Sequence, residues 1–358
     1  MNADEFRKHG HEAIEAVAKY MEEVNGYPVL SQVKPNYLRP LLPTEAPKSP
    51  ESFDVIIKDF HDKIMPGITH WQSELERIVM DWIAKLLGLG EEFQSQGEGG
   101  GIIQGSASDA VCVAMVAARE RMLNHLKETQ DLESKDIVHK LVAYASDQTH
   151  SCAEKAAKIL GLKCHILPTD DTCILQPDVL EKAIEEDTKA GLIPFFVTAS
   201  IGTTSTGAVD NIPGIVQACA TSRIWVHVDA AYAGSAMVCP EFRHHMAGVE
   251  GVDSFDFNPH KWLLIHFDCS CLFVKKRSDI ANALTIRPYY LRYKELDQGL
   301  VEDLGDYQIP LGRRFRALKV WFTLRSYGQT GLQEYIRNHV QLAQNVKAAI
   351  EKDPRFEV

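Results

Sequence analysis

Positive charge is what this sequence is short of. Its 38 Lys and Arg against 49 Asp and Glu leave a formal net charge of −11, with no dense basic block. No nucleic-acid groove and no anionic membrane surface is therefore expected as a partner. No run of about 18 uncharged apolar residues occurs. The opening residues, Met1-Asn2-Ala3-Asp4-Glu5, lack the basic-then-apolar pattern of a secretory leader, so a cytoplasmic location is expected. The eight cysteines (Cys112, Cys152, Cys164, Cys173, Cys219, Cys239, Cys269, Cys271) include no CxxC pair and read as reduced core thiols. Cys269 and Cys271 share a face of an expected strand, but two thiols without further ligands make a poor metal site, and no metal is expected. There is no Walker loop and no GxGxxG after a strand, which disfavours a dinucleotide-binding module. What is present is 358 residues with 45% hydrophobic content, enough for one large domain plus a smaller one. A small molecule is the default ligand.

The first 70 or so residues differ from the rest. Helical patterns at Glu5 to Glu23 and Phe53 to Ile64 flank a proline-rich connector, Pro28 to Pro50. This piece has too little apolar surface to fold alone and is expected to pack on another subunit or on the main body. From Leu141 strands and helices alternate: strand to Ser146, helix Cys152 to Leu160, strand Leu162 to Leu167, helix Pro177 to Ala190, strand Ile193 to Ala199, helix Ile212 to Ala220, strand Ile224 to Asp229. That alternation predicts an α/β fold, a mainly parallel sheet with helices on both faces, whose ligands gather at the strands' carboxyl ends. Arg313 to Tyr327 and Leu332 to Lys352 read as two further helices, the second short of a surface to pack on. The organisation expected is a helical segment over 1–73, a large domain over 74–328 and a helix from 329 onward.

In Asn258-Pro259-His260-Lys261-Trp262 a lysine stands between a histidine and a tryptophan, just after the apolar run Val252 to Phe257. A lysine there is either snorkelling from a strand end or held among aromatic groups, and in the second case burial disfavours the ammonium ion and leaves an amine able to attack a carbonyl. Earlier in the chain, the strand Ile224 to Val228 ends in Asp229-Ala230-Ala231-Tyr232-Ala233-Gly234, which puts an acid at a strand mouth. A glycine-rich run, Gly97 to Gly101, leads to Gln104-Gly105-Ser106-Ala107-Ser108 and a helix expected from Asp109 to Leu123. Free amides and hydroxyls at such a helix start can cradle a phosphate. Thr204, in the turn Gly202 to Gly207, and His150, after Ser146-Asp147-Gln148-Thr149, fall at two further strand ends. Taken singly, each of these reads as well as a plain turn or a structural histidine. Together they meet three demands in chain order: an amine for an aldehyde, a carboxylate for a pyridinium nitrogen, and neutral donors for a phosphate. That set suggests a pyridoxal phosphate site.

His227-Val228-Asp229-Ala230-Ala231-Tyr232-Ala233-Gly234 and Asn258-Pro259-His260-Lys261-Trp262 strongly resemble the group II pyridoxal-phosphate-dependent decarboxylases. So do Met65 to Trp71, Ser146 to His150, Cys239 to Arg243 and Gln308 to Phe315, so the resemblance spans nearly the whole chain. It implies a fold-type I large domain and a homodimer that binds pyridoxal 5'-phosphate and decarboxylates an aromatic L-amino acid such as L-DOPA or 5-hydroxytryptophan. Carried over by matching position, Lys261 would hold the cofactor, Asp229 would pair with its ring nitrogen and His150 would stack on the ring. Ala107, Ser108, Asn258 and His260 would hold the phosphate, with Thr204 beside the cofactor. Tyr290 would deliver a proton from a loop, while Trp71, His150 and Gly312 would face the substrate. Histidine decarboxylases of the family typically carry serine at the positions of His260 and Gly312, and aldehyde synthases tend to replace His150 or Tyr290, so decarboxylation of an aromatic substrate is favoured.

Three departures stand against the family pattern. A segment that lines the substrate pocket is missing where Ser73 runs into Glu74, a small C-terminal domain is missing after Val358, and Gly305-Asp306-Tyr307 replaces a more usual Arg-His-Trp. They leave open a shortened, poorly active chain that pairs with full-length subunits, with histidine or tyrosine decarboxylation and aldehyde synthesis as further readings.

Overall fold

The computed structural model describes residues 2–68, 72–286, 298 and 302–356; Trp71 and Tyr290 lie outside the described residues. Seven strands form one sheet in the order β1-β7-β6-β5-β4-β2-β3. They are β1 (Gly100–Gln104), β2 (Leu141–Ser146), β3 (Lys163–Leu167), β4 (Ile193–Ser200), β5 (Trp225–Asp229), β6 (Ser254–Phe257) and β7 (Ser270–Val274). The pairs among β2 to β6 are parallel, whereas β7 runs antiparallel to both β6 and β1. Strands β2 and β5 are buried along their whole length. Their near-continuous apolar runs are what a strand covered on both faces requires.

The shorter α-helices among the described residues are α1 (Ala3–Glu23), α2 (Phe53–Asp59), α3 (Gln72–Leu87), α4 (Ala107–Gln130), α5 (Ser134–Ile137), α6 (Cys152–Ile159), α7 (Pro177–Lys189), α8 (Ile212–Cys219), α9 (Pro259–Trp262) and α10 (Arg277–Leu284). A last long helical stretch, broken at Gly328, spans Arg316–Ile350. The sheet separates two cores. One packs α4, α6 and α10 against alternate residues such as Ala143, Trp225 and Leu272, and the other packs α3, α7, α8 and the long helix against Tyr144, Val228 and Phe255.

Three strands, β1, β6 and β7, lie outside the expected series. The glycine run does not form a phosphate loop: Gly100 and Gly101 belong to β1, paired with Val274 and Phe273. A Cβ on Gly101 would fall 2.4 Å from Met80 and 2.6 Å from the Phe273 ring, so glycine is there for close packing. The helix expected to stop at Leu123 continues to Gln130 because good helix formers follow the apolar pattern, and Arg121 lies 4.4 Å over the Trp225 ring while pairing with Asp253 at 2.7 Å.

The two expected C-terminal helices are both present and meet at Gly328, whose φ of 63° and ψ of 172° are not helical and which only glycine adopts readily. A Cβ at Gly328 would lie 2.4 Å from the Ser49 backbone, so the bend is also where the N-terminal segment crosses. Past it, Leu332 and Ile336 are buried, but Leu342 and Val346 are exposed. The early residues behave in two ways. Leu38, Leu42, Ile56 and Ile64 join the core of the main body, while α1 buries nothing and leaves Phe6, Ile14, Val17 and Met21 exposed.

Arg325 ties the first group down. Its guanidinium donates to Glu51 at 2.5 and 3.1 Å and to Asp59 at 2.6 Å, and it lies 4.8 Å over the Trp321 ring. Removing one partner of a buried pair leaves charge uncompensated. Arg325→Ala is expected to lower stability by about 3 kcal/mol in urea unfolding. Arg325→Lys should recover only part, since an ammonium cannot make the forked contact. An unchanged unfolding midpoint for Arg325→Ala would contradict this role.

Candidate active site

Parallel strands end together, and the turns after β2, β4, β5 and β6 therefore face one region. A cleft of about 210 Å³ opens there, lined by Ser106, Ala107, Ser108, His150, Ser200, Gly202, Thr203, Thr204, Asp229, Ala231, Tyr232, Asn258, His260 and Lys261. It gathers the expected Ala107, Ser108, His150, Thr204, Asp229, Asn258, His260 and Lys261, together with Ser106. A roomier hollow of about 420 Å³ lies by the amino end of β5, but no lysine lines it and its Arg121 is committed to Asp253. Chemistry, not size, selects the smaller cleft.

Asp229 ends β5 and is buried, accepting from Ala231 N at 2.9 Å and from the Cys152 thiol at 3.7 Å. Burial, followed by the Asp229 charge, pushes the Cys152 thiol well above its ordinary range, so it stays a donor. Sequence reading placed Cys152 among core thiols and missed this contact, because only the fold brings α6 against the end of β5.

Lys261 sits on α9, which starts one residue after β6. The expectation of a lysine buried among aromatic groups does not hold. Lys261 is exposed in the cleft and makes no side-chain hydrogen bond or ion pair among the described residues. The aromatic neighbour Trp262 turns away from it to stack on Tyr232 at 5.2 Å and to donate to His339 at 2.9 Å. An uncommitted amine at the mouth of a cleft is nevertheless what a carbonyl ligand needs.

Across the cleft, Ser106 caps α4, its hydroxyl accepting from Asp109 N at 3.2 Å. The leading amides of this 24-residue helix, at Ala107 and Ser108, have no carbonyl of their own helix to bond and form an anion site. Asn258 is buried with an unpartnered Oδ1 in the same lining. The loop after β4 is held by its own groups: Thr203 Oγ1 bonds Thr206 Oγ1 at 2.8 Å and accepts from Ala208 N at 3.0 Å, which leaves Thr204 exposed to the cleft.

Two histidines are oriented alike. His150 Nδ1 accepts from Cys152 N at 3.2 Å and His260 Nδ1 accepts from Cys269 N at 2.8 Å, so each neutral ring carries its proton on Nε2. Gly312 does not line the cleft. It is exposed on a loop where Gln308 Nε2 donates to its carbonyl at 3.0 Å and Arg313 bonds Gln308 at 2.7 Å.

A lysine, a buried carboxylate and the open amides of a helix, converging at the carboxyl ends of a mainly parallel sheet, define an α/β enzyme built to hold pyridoxal phosphate. The pyridoxal-dependent decarboxylase conserved domain matches residues 35–75 and 72–358, and this chain belongs to that family. The two matched pieces meet at residues 72–75, where sequence reading places the missing segment. The chain is 47% identical to the aromatic-L-amino-acid decarboxylase of Bos taurus over 400 aligned positions, covering all of this chain and 82% of that protein. It is 44% identical to the phenylacetaldehyde synthase of Arabidopsis thaliana, covering all of this chain and 81% of that protein. Its fold superposes with a TM-score of 0.77 on the Oryza sativa TDC solved with PLP and tryptamine, at 37% identity over all of this chain and 81% of the other. The chain is thus a pyridoxal-phosphate-dependent carboxy-lyase.

Burial, and then the neighbouring Lys261 charge, hold the His260 imidazole below its ordinary value of 6.5. The folded state then binds fewer protons than the unfolded one as pH falls. Stability from neutral His260 is present above the unfolded value and is lost as pH drops through the folded one. Ring NMR of the histidines is expected to give His260 a midpoint below 6.5. A midpoint at or above 6.5 would contradict the assignment.

Proposed function

We propose that this enzyme decarboxylates an aromatic L-amino acid, of the class of L-DOPA or 5-hydroxytryptophan, to the corresponding amine. The observation that carries the reading is the convergence of Lys261, Asp229 and the α4 amides on one cleft. Pyridoxal phosphate, when bound, supplies the electron sink that takes up the charge left by departing carbon dioxide. The Lys261 amine is free to bond the cofactor's aldehyde carbon. Asp229, held by its two donors, would pair with a protonated ring nitrogen. The amides of Ala107 and Ser108, with Asn258 and His260 Nε2–H, would hold the phosphate, with Thr204 beside it. His150 would offer its flat ring to the cofactor and help to orient the substrate. Tyr290 is assigned proton delivery, and Trp71 and Gly312 substrate contact, by family position alone.

The aromatic class rests on relatives whose names include aromatic-L-amino-acid decarboxylase, tyrosine decarboxylase and tryptophan decarboxylase. His260 in place of the serine typical of histidine decarboxylases points the same way. A homodimer is part of this reading, supported by the exposed apolar residues of α1. So is a cytoplasmic location, which suits eight unpaired cysteines. Among the described residues no helix is long and apolar enough to cross a membrane.

With L-DOPA as substrate, carbon dioxide release is expected from the wild type and only at background from Lys261→Ala, which should also lose the visible absorbance of the bound cofactor. Asp229→Asn should lower kcat by about a hundredfold or more, the scale on which one preorganised electrostatic partner acts. Cofactor binding by the wild type with no turnover of any aromatic amino acid would overturn the substrate reading.

A further inference from the structure

Beneath Asp229 the sheet carries polar groups for which the reaction so far has no use. His227 pairs in register with Ser254, and Asp229 with Asp256, so all four lie on one face of β5 and β6. His227, Ser254 and Asp256 have no exposed surface at all. Trp225 Nε1 can only donate, and it donates to Ser254 Oγ at 2.7 Å. In the His227 tautomer with its proton on Nε2, Ser254 Oγ donates to His227 Nδ1 at 2.8 Å and His227 Nε2–H donates to Asp256 Oδ1 at 3.0 Å. The relay stops there, because Asp256 Oδ2 is buried with no partner.

Asp229 has both a backbone and a thiol donor, whereas Asp256 has one imidazole donor and an orphaned oxygen. Adjacent strands are only about 4.8 Å apart. Two carboxylates that close, out of water, repel strongly, and one of them keeps a proton. The better-donated group, Asp229, keeps the charge.

We propose that Asp256 is a positioning residue for Asp229: it holds a proton so that Asp229 stays anionic, and on releasing it adds a second negative charge behind the cofactor's ring nitrogen. The inference rests on Asp229 being the ring-nitrogen partner. Burial, and then the Asp229 carboxylate, raise Asp256 to about 7, so the release falls in the working range of an enzyme. The titratable groups facing Asp256 are Asp229 and His227 from β5, Cys152 from α6 and Lys261 from α9, while Cys271 of β7 lies on the opposite face of the sheet, near enough only to feel its charge. His227 and Lys261 favour its charged form, and neither cancels the opposing effects of burial and Asp229.

The test begins with infrared spectra of the cofactor-free full chain. A protonated-carboxyl stretch is expected that fades as pH rises through about 7 and is missing from Asp256→Asn. Should that variant not fold, Ser254→Ala keeps both carboxyls but frees His227 Nδ1 to take a proton, and the imidazolium should move the midpoint of the band downward. No band in the wild type, a band that survives Asp256→Asn, or a midpoint unmoved in Ser254→Ala overturns the proposal. The second arm is the Kd for pyridoxal 5'-phosphate against pH. The ratio of the Asp256→Asn Kd to the wild-type Kd should widen by about tenfold as pH rises from below to above the transition, the equivalent of one pKa unit of interaction. A ratio that stays flat overturns the proposal, whereas a wild type that binds no pyridoxal 5'-phosphate overturns the site reading instead.

Discussion

Keeping a carboxylate charged inside a sheet is the constraint on which this site depends. Asp229 ends a strand buried along its length, and nothing in an apolar core favours its charge. The fold answers with the Ala231 amide, the Cys152 thiol and a neighbouring carboxyl group that can take the proton. Each answer comes from a different element, so the charge exists only when β5, β6 and α6 are assembled. Lys261 is placed by the same assembly, since α9 begins where β6 stops. Amine and acid are therefore set by two adjacent parallel strands, and their spacing is as rigid as the sheet.

The phosphate side of the site is handled differently. The phosphate end is bound by helix amides and side chains that are already held: Ser106 caps its helix, Thr203 folds its own loop, and both histidines are fixed by backbone amides. Neutral donors of this kind gain a charged ligand without first losing a partner of their own. Preorganised donors at the phosphate end and a buried carboxylate at Asp229 are two separate solutions in one cleft.

Much of this was legible in the sequence. Lys261, Asp229, His150 and the Ser106 to Ser108 turn announced a cofactor site because each chemical demand has few residues able to meet it, and strand ends are where such residues meet. The strand and helix series from Leu141 to Asp229 was readable because buried parallel strands are uninterrupted apolar runs. Strand β1 was not, since two glycines that serve packing look like a loop. The exposure of Lys261 was hidden too, because apolar neighbours in sequence, such as Trp262, found partners elsewhere. Asp256 gave no signal at all: its meaning depends on sitting opposite Asp229, and register across strands is not written in either strand alone.

The junction at Arg325 bears on how the chain is made. Glu51 and Asp59 leave the ribosome long before their guanidinium partner, which follows after the whole sheet. Until then these acids lack that partner, and the contacts that fasten this segment to the last helices can form only once the strands between them in sequence have been made.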